Sequence, residues 1–291
     1  MASIKEIRTR IGSVDSTKKI TSAMKMVSAA KLRKAQTAVT QMRPYAEKLD
    51  ELLANLSSGM DDGSDSVFMR TGSVENVLIV AVASNSGLCG AFNSNVAKKV
   101  ISLLDTRYAK QNIAGTAEVL VIGKKTGELL AGKGVKIKEI NTEILENASY
   151  ESVAEKANEV MKAFAWKRYD AVELVFNMFK NAATQEVVSR DFLPVRPQIS
   201  ESSVAKDYIF EPSKEYIIKE IIPKSLKIQF YNAVLESIAS EHGARMTSMH
   251  KATDNAGELL KNLRLEYNKA RQASITTEIL EITSGANALS E

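Results

Sequence analysis

The sequence predicts an α/β protein of uncommon plan: a long antiparallel coiled coil of the N- and C-terminal helices, with an α/β domain inserted between them. Three observations carry that expectation. After Pro223 there is no further proline, and apolar or small residues recur at steps of three and four. They run Ile228, Tyr231, Leu235, Ile238, His242, Arg245, Met249, Ala252 and Ala256, slip once, and resume as Leu260, Leu263, Tyr267 and Ala270. The N-terminal stretch has the same kind of periodicity. Between the two, short apolar runs alternate with helical patterns, as in a mostly parallel sheet.

The first helix is opened by a capping box, Ser3 with Glu6 three residues on. Its apolar positions run Ile4, Ile7, Ile11 and Val14, shift to Ile20, Met24 and Val27, and resume as Leu32, Ala35, Val39, Met42, Ala46, Leu49, Leu53 and Leu56. Pro44 predicts a kink or break near Arg43. Residues 1–57 form this helix, and the polar, glycine-bearing stretch 58–76 is a linker. Residues 77–194 form the inserted domain, expected to be Rossmann-like. Val77–Ala83 reads as a buried strand, Val119–Ile122 as a second, and Val135–Ile140 as an edge strand. A helix near Tyr150–Trp166, a strand at Ala171–Phe176 and a last strand at Val187–Pro194 follow. Residues 195–223, with Pro197, Pro212 and Pro223, predict an irregular return path to the closing helix, 224–291. At 1.5 Å per residue a helix of about 60 residues would run roughly 90 Å, so a partner helix is needed to cover its seam.

Composition narrows the function. The longest purely apolar run, Val77–Ala83, is far short of a membrane span, and no apolar signal core opens the chain. A soluble intracellular protein, or one docked on a membrane complex, is expected. The lone Cys89 excludes an internal disulfide and a cysteine-based zinc site, and a buried inert thiol is expected. Residues 1–50 hold eleven Lys or Arg against four acids, whereas residues 224–291 hold eight of each. The first helix is therefore a basic face, suited to solvent or to an acidic partner.

No catalytic arrangement emerges. Gly87 and Gly90, after the first strand, do not complete G-x-G-x-x-G, and no acidic ribose partner follows. Gly123-Lys124-Lys125-Thr126 has Glu118 where a P-loop needs its first glycine, and Lys125 where it needs Ser or Thr. His242 and His250 stand eight apart on one helix and cannot make a metal site together. No catalytic residue, cofactor or metal ligand is assigned. The last twenty residues are slender and largely uncharged on every side, through Ile275, Thr276, Thr277, Ile279, Leu280 and Ile282. Such a helix is normally enclosed by protein.

At these residues the chain resembles the gamma subunit of the F-type ATP synthase, bacterial type. Residues 275–288 match the signature I-T-x-E-x-x-E-x-x-x-G-A-x-A. Residues 239–246, 252–256 and 267–273 are similar to its neighbouring blocks, Ile7 to Val27 to its first helix, and Ser86 to Asn93 to the loop after its first strand. Gly243 stands where the family pattern suggests alanine, which implies a turn softer by about 1 kcal/mol. No cysteine pair or insert of the light-controlled plastid form is present, and no organelle presequence.

The resemblance implies a central rotor shaft, itself non-catalytic. It would transmit torque between the membrane ring of c subunits and the catalytic ring of alpha and beta subunits, with the epsilon subunit as a further partner. The expected place is the cytoplasmic face of the bacterial membrane, as a peripheral part of the complex. The family's rotor–stator contacts map onto Met24, Arg245, Gln272, Thr276 and Glu278. Arg245 and Gln272 would hydrogen-bond to the beta ring, and Met24 would pack where the helices cross. The competing reading is a coiled-coil adaptor using the basic helix on an acidic partner or nucleic acid; no arginine-rich or aromatic reading motif supports it.

Overall fold

The computed structural model describes residues 3–57, 67–70, 72–182, 184–195 and 214–290. The linker residues 58–66 and the return segment 196–213 lie outside the described residues, as do the side chains of Leu53 and Leu56. Two long helices, α1 (Ile4–Ser57) and α6 (Lys214–Ser290), bracket five strands and four shorter helices. The chain divides into two units, Met1–Val27 with Met246–Glu291, and Ser28–Arg245.

In the second unit the sheet has the order β3-β2-β1-β4-β5. Its strands are β1 (Val77–Val82), β2 (Ala117–Ile122), β3 (Ile137–Asn141), β4 (Ala171–Phe179) and β5 (Gln185–Leu193). The first four are parallel and β5 runs antiparallel to β4. The connection from β4 to β5 is too short for a crossover, so a hairpin is its only route. β3 is an edge strand, as the sequence predicts. β1 is apolar at every position because both of its faces are covered. Leu78, Val80 and Val82 join the core beneath α5 (Tyr150–Ala165) and α6, around Phe164, Phe230 and Val234. Val77, Ile79 and Ala81 join the opposite core with Val96, Val100 and Leu104 of α2 (Phe92–Asp105) and Leu130 of α4 (Lys124–Ala131). A short helix, α3 (Ala109–Ile113), leads into β2.

α1 and α6 pair antiparallel within each unit. In the second, Ala46 and Leu49 pack on Ile228, and Arg43 forms an ion pair with Glu236 at 2.7 Å. In the first, the Thr253 and Thr21 hydroxyls hydrogen-bond at 2.8 Å, and Ile7, Ala256, Leu260 and Leu263 are buried. Here the expected seam is corrected. Ile20 and Val27 are 60% and 56% exposed, while Thr21 and Ser28 are buried. The three-and-four spacing never shifts: Thr21 and Ser28 stay in register with Leu32 and Ala35, and small hydroxyl side chains let the helices approach closely.

Two proline expectations also change. α1 continues through Pro44, so the predicted break is not there. α6 begins at Lys214 rather than after Pro223, which lies inside it. An interior proline costs about 3 kcal/mol. Around Pro223 that cost is offset by Ile222 and Leu226, both nearly fully buried in the sheet core.

Candidate functional site

In an open α/β sheet the ligand crevice lies at the carboxyl ends of the strands, where the order reverses. Here that point is between β1 and β4, and α6 occupies it. The Ser237 hydroxyl donates to the carbonyl of Val82, the last residue of β1, at 3.2 Å. The Ser240 hydroxyl donates to the Asn177 carbonyl of β4 at 3.1 Å. The Glu236 carboxylate accepts the Phe179 amide at 2.8 Å while pairing with Arg43. The Arg245 guanidinium pairs with Glu241 and donates to the carbonyls of Ser86 and Gly87, at 3.2 and 3.3 Å.

The loop after β1 is satisfied from within. Asn93 Oδ1 accepts the amide and the hydroxyl of Ser84, at 3.1 and 3.0 Å. Asn93 Nδ2 contacts Cys89 Sγ at 3.3 Å, and the Thr126 hydroxyl donates to the Asn93 carbonyl at 3.3 Å. Cys89 is buried, and that burial pushes its thiol pKa up, so it carries little thiolate at neutral pH. A crevice filled by a helix and a loop without spare donors form no nucleotide cradle.

Charges buried along this clamp are perturbed. Burial pushes the Glu241 carboxyl up, against the pull of Arg245 and Lys31. Burial, then the nearby Arg245 and Lys31 charges, lower the His242 pKa to about 4, so its imidazole is neutral at pH 7. Gly243 proves to be a point of close approach. A Cβ there would lie 3.3 Å from the Ala182 carbonyl oxygen and 3.4 Å from its Cα, so the β4–β5 turn would have to give. The softer turn inferred for this glycine overlooks the hairpin packed on it.

The expected contact residues fall in different settings. Arg245 is buried and held by this chain's own groups. Met24 is half-buried on α1. Gln272, Thr276 and Glu278 are exposed on α6, where every residue from Arg271 to Ala286 is exposed. Gln272 and Thr276 share one helical face, and the Thr276 hydroxyl donates to the Gln272 carbonyl at 2.9 Å. Thr277 and Thr283 fold back in the same way onto Ala273 and Ile279. Their methyls therefore face outward beside the exposed Ile275, Ile279, Leu280 and Ile282. Glu236, Ser237, Ser240 and Glu241 are what the sequence reading missed. Their signal is a second stripe at helical spacing, flanking the apolar seam.

Among the described residues no group of three or more His, Cys, Asp or Glu could hold a metal ion. Among them, too, no helix is long and apolar enough to cross a membrane.

Comparison with known proteins gives this geometry its context. The family described as ATP synthase matches residues 3–289. The ATP synthase gamma chain of Christiangramia forsetii is 53% identical over 289 residues, covering 99% of both chains. That of Flavobacterium johnsoniae is 54% identical over 290 residues, again covering 99% of each. A chain in the cryo-EM structure of the Tetrahymena thermophila mitochondrial ATP synthase central stalk and c-ring is 26% identical. It aligns with a TM-score of 0.58 over 80% of this chain and 99% of its own length. A chain of the Euglena gracilis mitochondrial ATP synthase shares the fold at a TM-score of 0.69 and 20% identity, over 98% of this chain and 94% of its own. With two long terminal helices paired around a parallel-rich sheet, and near-complete alignment to such relatives, the chain belongs to the ATP synthase family, among its bacterial-type gamma chains.

Proposed function

We propose that the chain is the torque-transmitting shaft of a rotary ATP synthase, non-catalytic itself, turning within a ring of alpha and beta subunits. The observation that carries this reading is the bare end of α6. Sixteen consecutive exposed residues, Arg271–Ala286, include Ile275, Ile279, Leu280 and Ile282 and have their threonine hydroxyls turned inward. A helix end left apolar on all sides is stable in water only at a cost, and an enclosing apolar sleeve removes that cost. Because the threonines offer it few free donors, the sleeve meets methyl groups that slide without fixed hydrogen bonds.

Gln272, Thr276 and Glu278 are the residues we place against the ring, with Met24 at a contact of its own. For Arg245, a ring contact competes with Glu241 and the Ser86 and Gly87 carbonyls. It requires those partners to be exchanged. The epsilon subunit and the membrane ring of c subunits are the further partners, and the cytoplasmic face of the bacterial membrane is the site of action. Torque then passes through a rigid element that biases each catalytic site between states. The adaptor reading has no comparable support beyond the basic face of α1.

The test is ATP hydrolysis by cognate alpha and beta subunits purified with and without this chain. A stable complex with one copy and hydrolysis well above that of the ring alone is the expected result. A chain that neither joins the ring nor changes its activity would overturn the proposal.

A further inference from the structure

Of all large apolar side chains in the described residues, Ile113 and Trp166 are the most exposed, at 89% and 80%. Both stand at one place in the fold. Ile113 ends α3, which feeds β2 at Ala117, and Trp166 follows α5, which feeds β4 at Ala171. β2 and β4 are the parallel neighbours of β1, so both side chains lie at the N-terminal edge of the sheet.

Charge at this edge is lopsided. Its carboxylates are engaged from within. Asp170 accepts the Glu75 and Asn76 amides, Glu118 takes the Tyr169 hydroxyl and Lys136, and Asp191 pairs with Arg107. Lys110, Lys133, Lys138, Lys167 and Arg168 form no ion pair among the described residues, against only Glu75 and Asp105 on the acidic side. Lys138 and Arg168 are held over the buried Tyr169 ring, at 5.1 and 5.8 Å from its centroid. These are fixed cations beside an exposed indole. Cations do suit helix C-termini, yet that preference leaves the exposure of Trp166 and Ile113 unexplained.

We propose that this edge of the α/β unit rests on a layer of anionic phospholipid headgroups, with Trp166 and Ile113 seated in its interfacial zone. The chemistry fits: indole rings favour the membrane–water interface, and lysine and arginine are drawn to anionic lipid. The inference rests on the shaft reading, which sets the chain beside a membrane. It also favours lipid over a stationary protein, because a fluid surface imposes no register on a turning rotor.

Trp166 is the chain's only tryptophan, so its fluorescence reports on this edge alone. The full chain would be titrated with vesicles of equal parts phosphatidylglycerol and phosphatidylcholine, and with pure phosphatidylcholine vesicles. The expected result is a blue shift with the anionic vesicles only, reversed by salt. The double variant Lys110→Gln/Lys167→Gln keeps the reporter, and its vesicle affinity should fall about thirtyfold, at about 1 kcal/mol per basic side chain. Ile279→Ser/Ile282→Ser, at the far end of α6, should leave the shift unchanged.

No shift with anionic vesicles, or an equal shift with neutral ones, overturns the proposal. A shift that appears only when another ATP synthase subunit is added assigns the edge to a protein partner and overturns it as well. Failure here is separable from failure of the shaft reading. A chain that activates the ring with unchanged Trp166 emission sinks only the lipid contact, and one that binds vesicles but not the ring sinks only the shaft.

Discussion

Two stretches of one helix, α6, look alike in composition and live in opposite surroundings. From Ile222 to Arg245 most side chains are buried, serines and glutamates included. From Arg271 to Ala286 none is, although isoleucines, threonines and glutamates recur there too. The first stretch carries two stripes, one for α1 and one for the sheet, so this chain covers it on both sides. The second carries apolar groups on all sides, and the chain supplies nothing for them. An apolar residue at helical spacing predicts that something covers it, but not whether the cover comes from the same chain.

If that contrast is right, substitutions in the two stretches should differ sharply in their effect on the isolated chain. Phe230→Ala should have the largest effect. Phe230 is essentially inaccessible and meets Phe192 edge-on at 5.7 Å, and emptying such a site costs about 3–5 kcal/mol. Denaturant unfolding of the purified chain measures it, and a loss below about 1 kcal/mol would break the comparison at its strongest point. Glu236→Ala comes next, at about 2–3 kcal/mol. It leaves the Phe179 amide without its acceptor and Arg43 without its partner. Arg43→Ala alone should cost less, since that side chain is half-exposed and water can replace its ion pair.

A pH series sharpens the same contrast. The His242 pKa is lowered to about 4, so between about 4 and its ordinary 6.5 the unfolded chain binds the proton and the folded chain does not. Its contribution is full above pH 6.5 and is lost as the pH falls toward 4. Glu241 works in the opposite sense. Its raised carboxyl gives stability that is present below its ordinary 4.5 and lost as the pH rises through the raised value. The observed slope is the difference of the two. A His242→Gln variant isolates the histidine part: its stability should fall less steeply between pH 6.5 and 4 than the parent's. An unchanged slope would mean that His242 takes up its proton as readily folded as unfolded.

Much of this architecture was legible because periodicity survives in the residues that make it. The apolar runs at Val77–Val82 and Val119–Ile122 could be read as doubly covered strands, and the stutter-bearing seam of α6 as a helix needing a partner. Where the reading slipped, polar residues do the packing. Thr21 and Ser28 hold the seam while Ile20 and Val27 face outward, and a hydrophobicity pattern ranks those two pairs the wrong way round. The same blindness hid Ser237, Ser240 and Glu241. Their burial depends on carbonyls that only the folded sheet brings within reach. Arg245 was legible as a contact residue, but its contacts with Glu241, Ser86 and Gly87 were not. Partners far apart in the chain leave no mark in local spacing.

The smallest effect on the chain should accompany the largest effect on its work. Ile275→Ser/Ile279→Ser removes two exposed side chains from a helix face that touches nothing else in the described residues. Serine lowers helix propensity only slightly, so the isolated chain should lose no more than about 0.5 kcal/mol per site. In the ring the same change would put hydroxyls into an apolar sleeve without partners, at about 1–3 kcal/mol each. Ring-stimulated ATP hydrolysis and the lifetime of the complex should then fall while the unfolding curve barely moves. Equal losses in both measurements would mean that this chain already covers its own tip. The helix end would then be ordinary core, and the comparison between the two stretches of α6 would collapse.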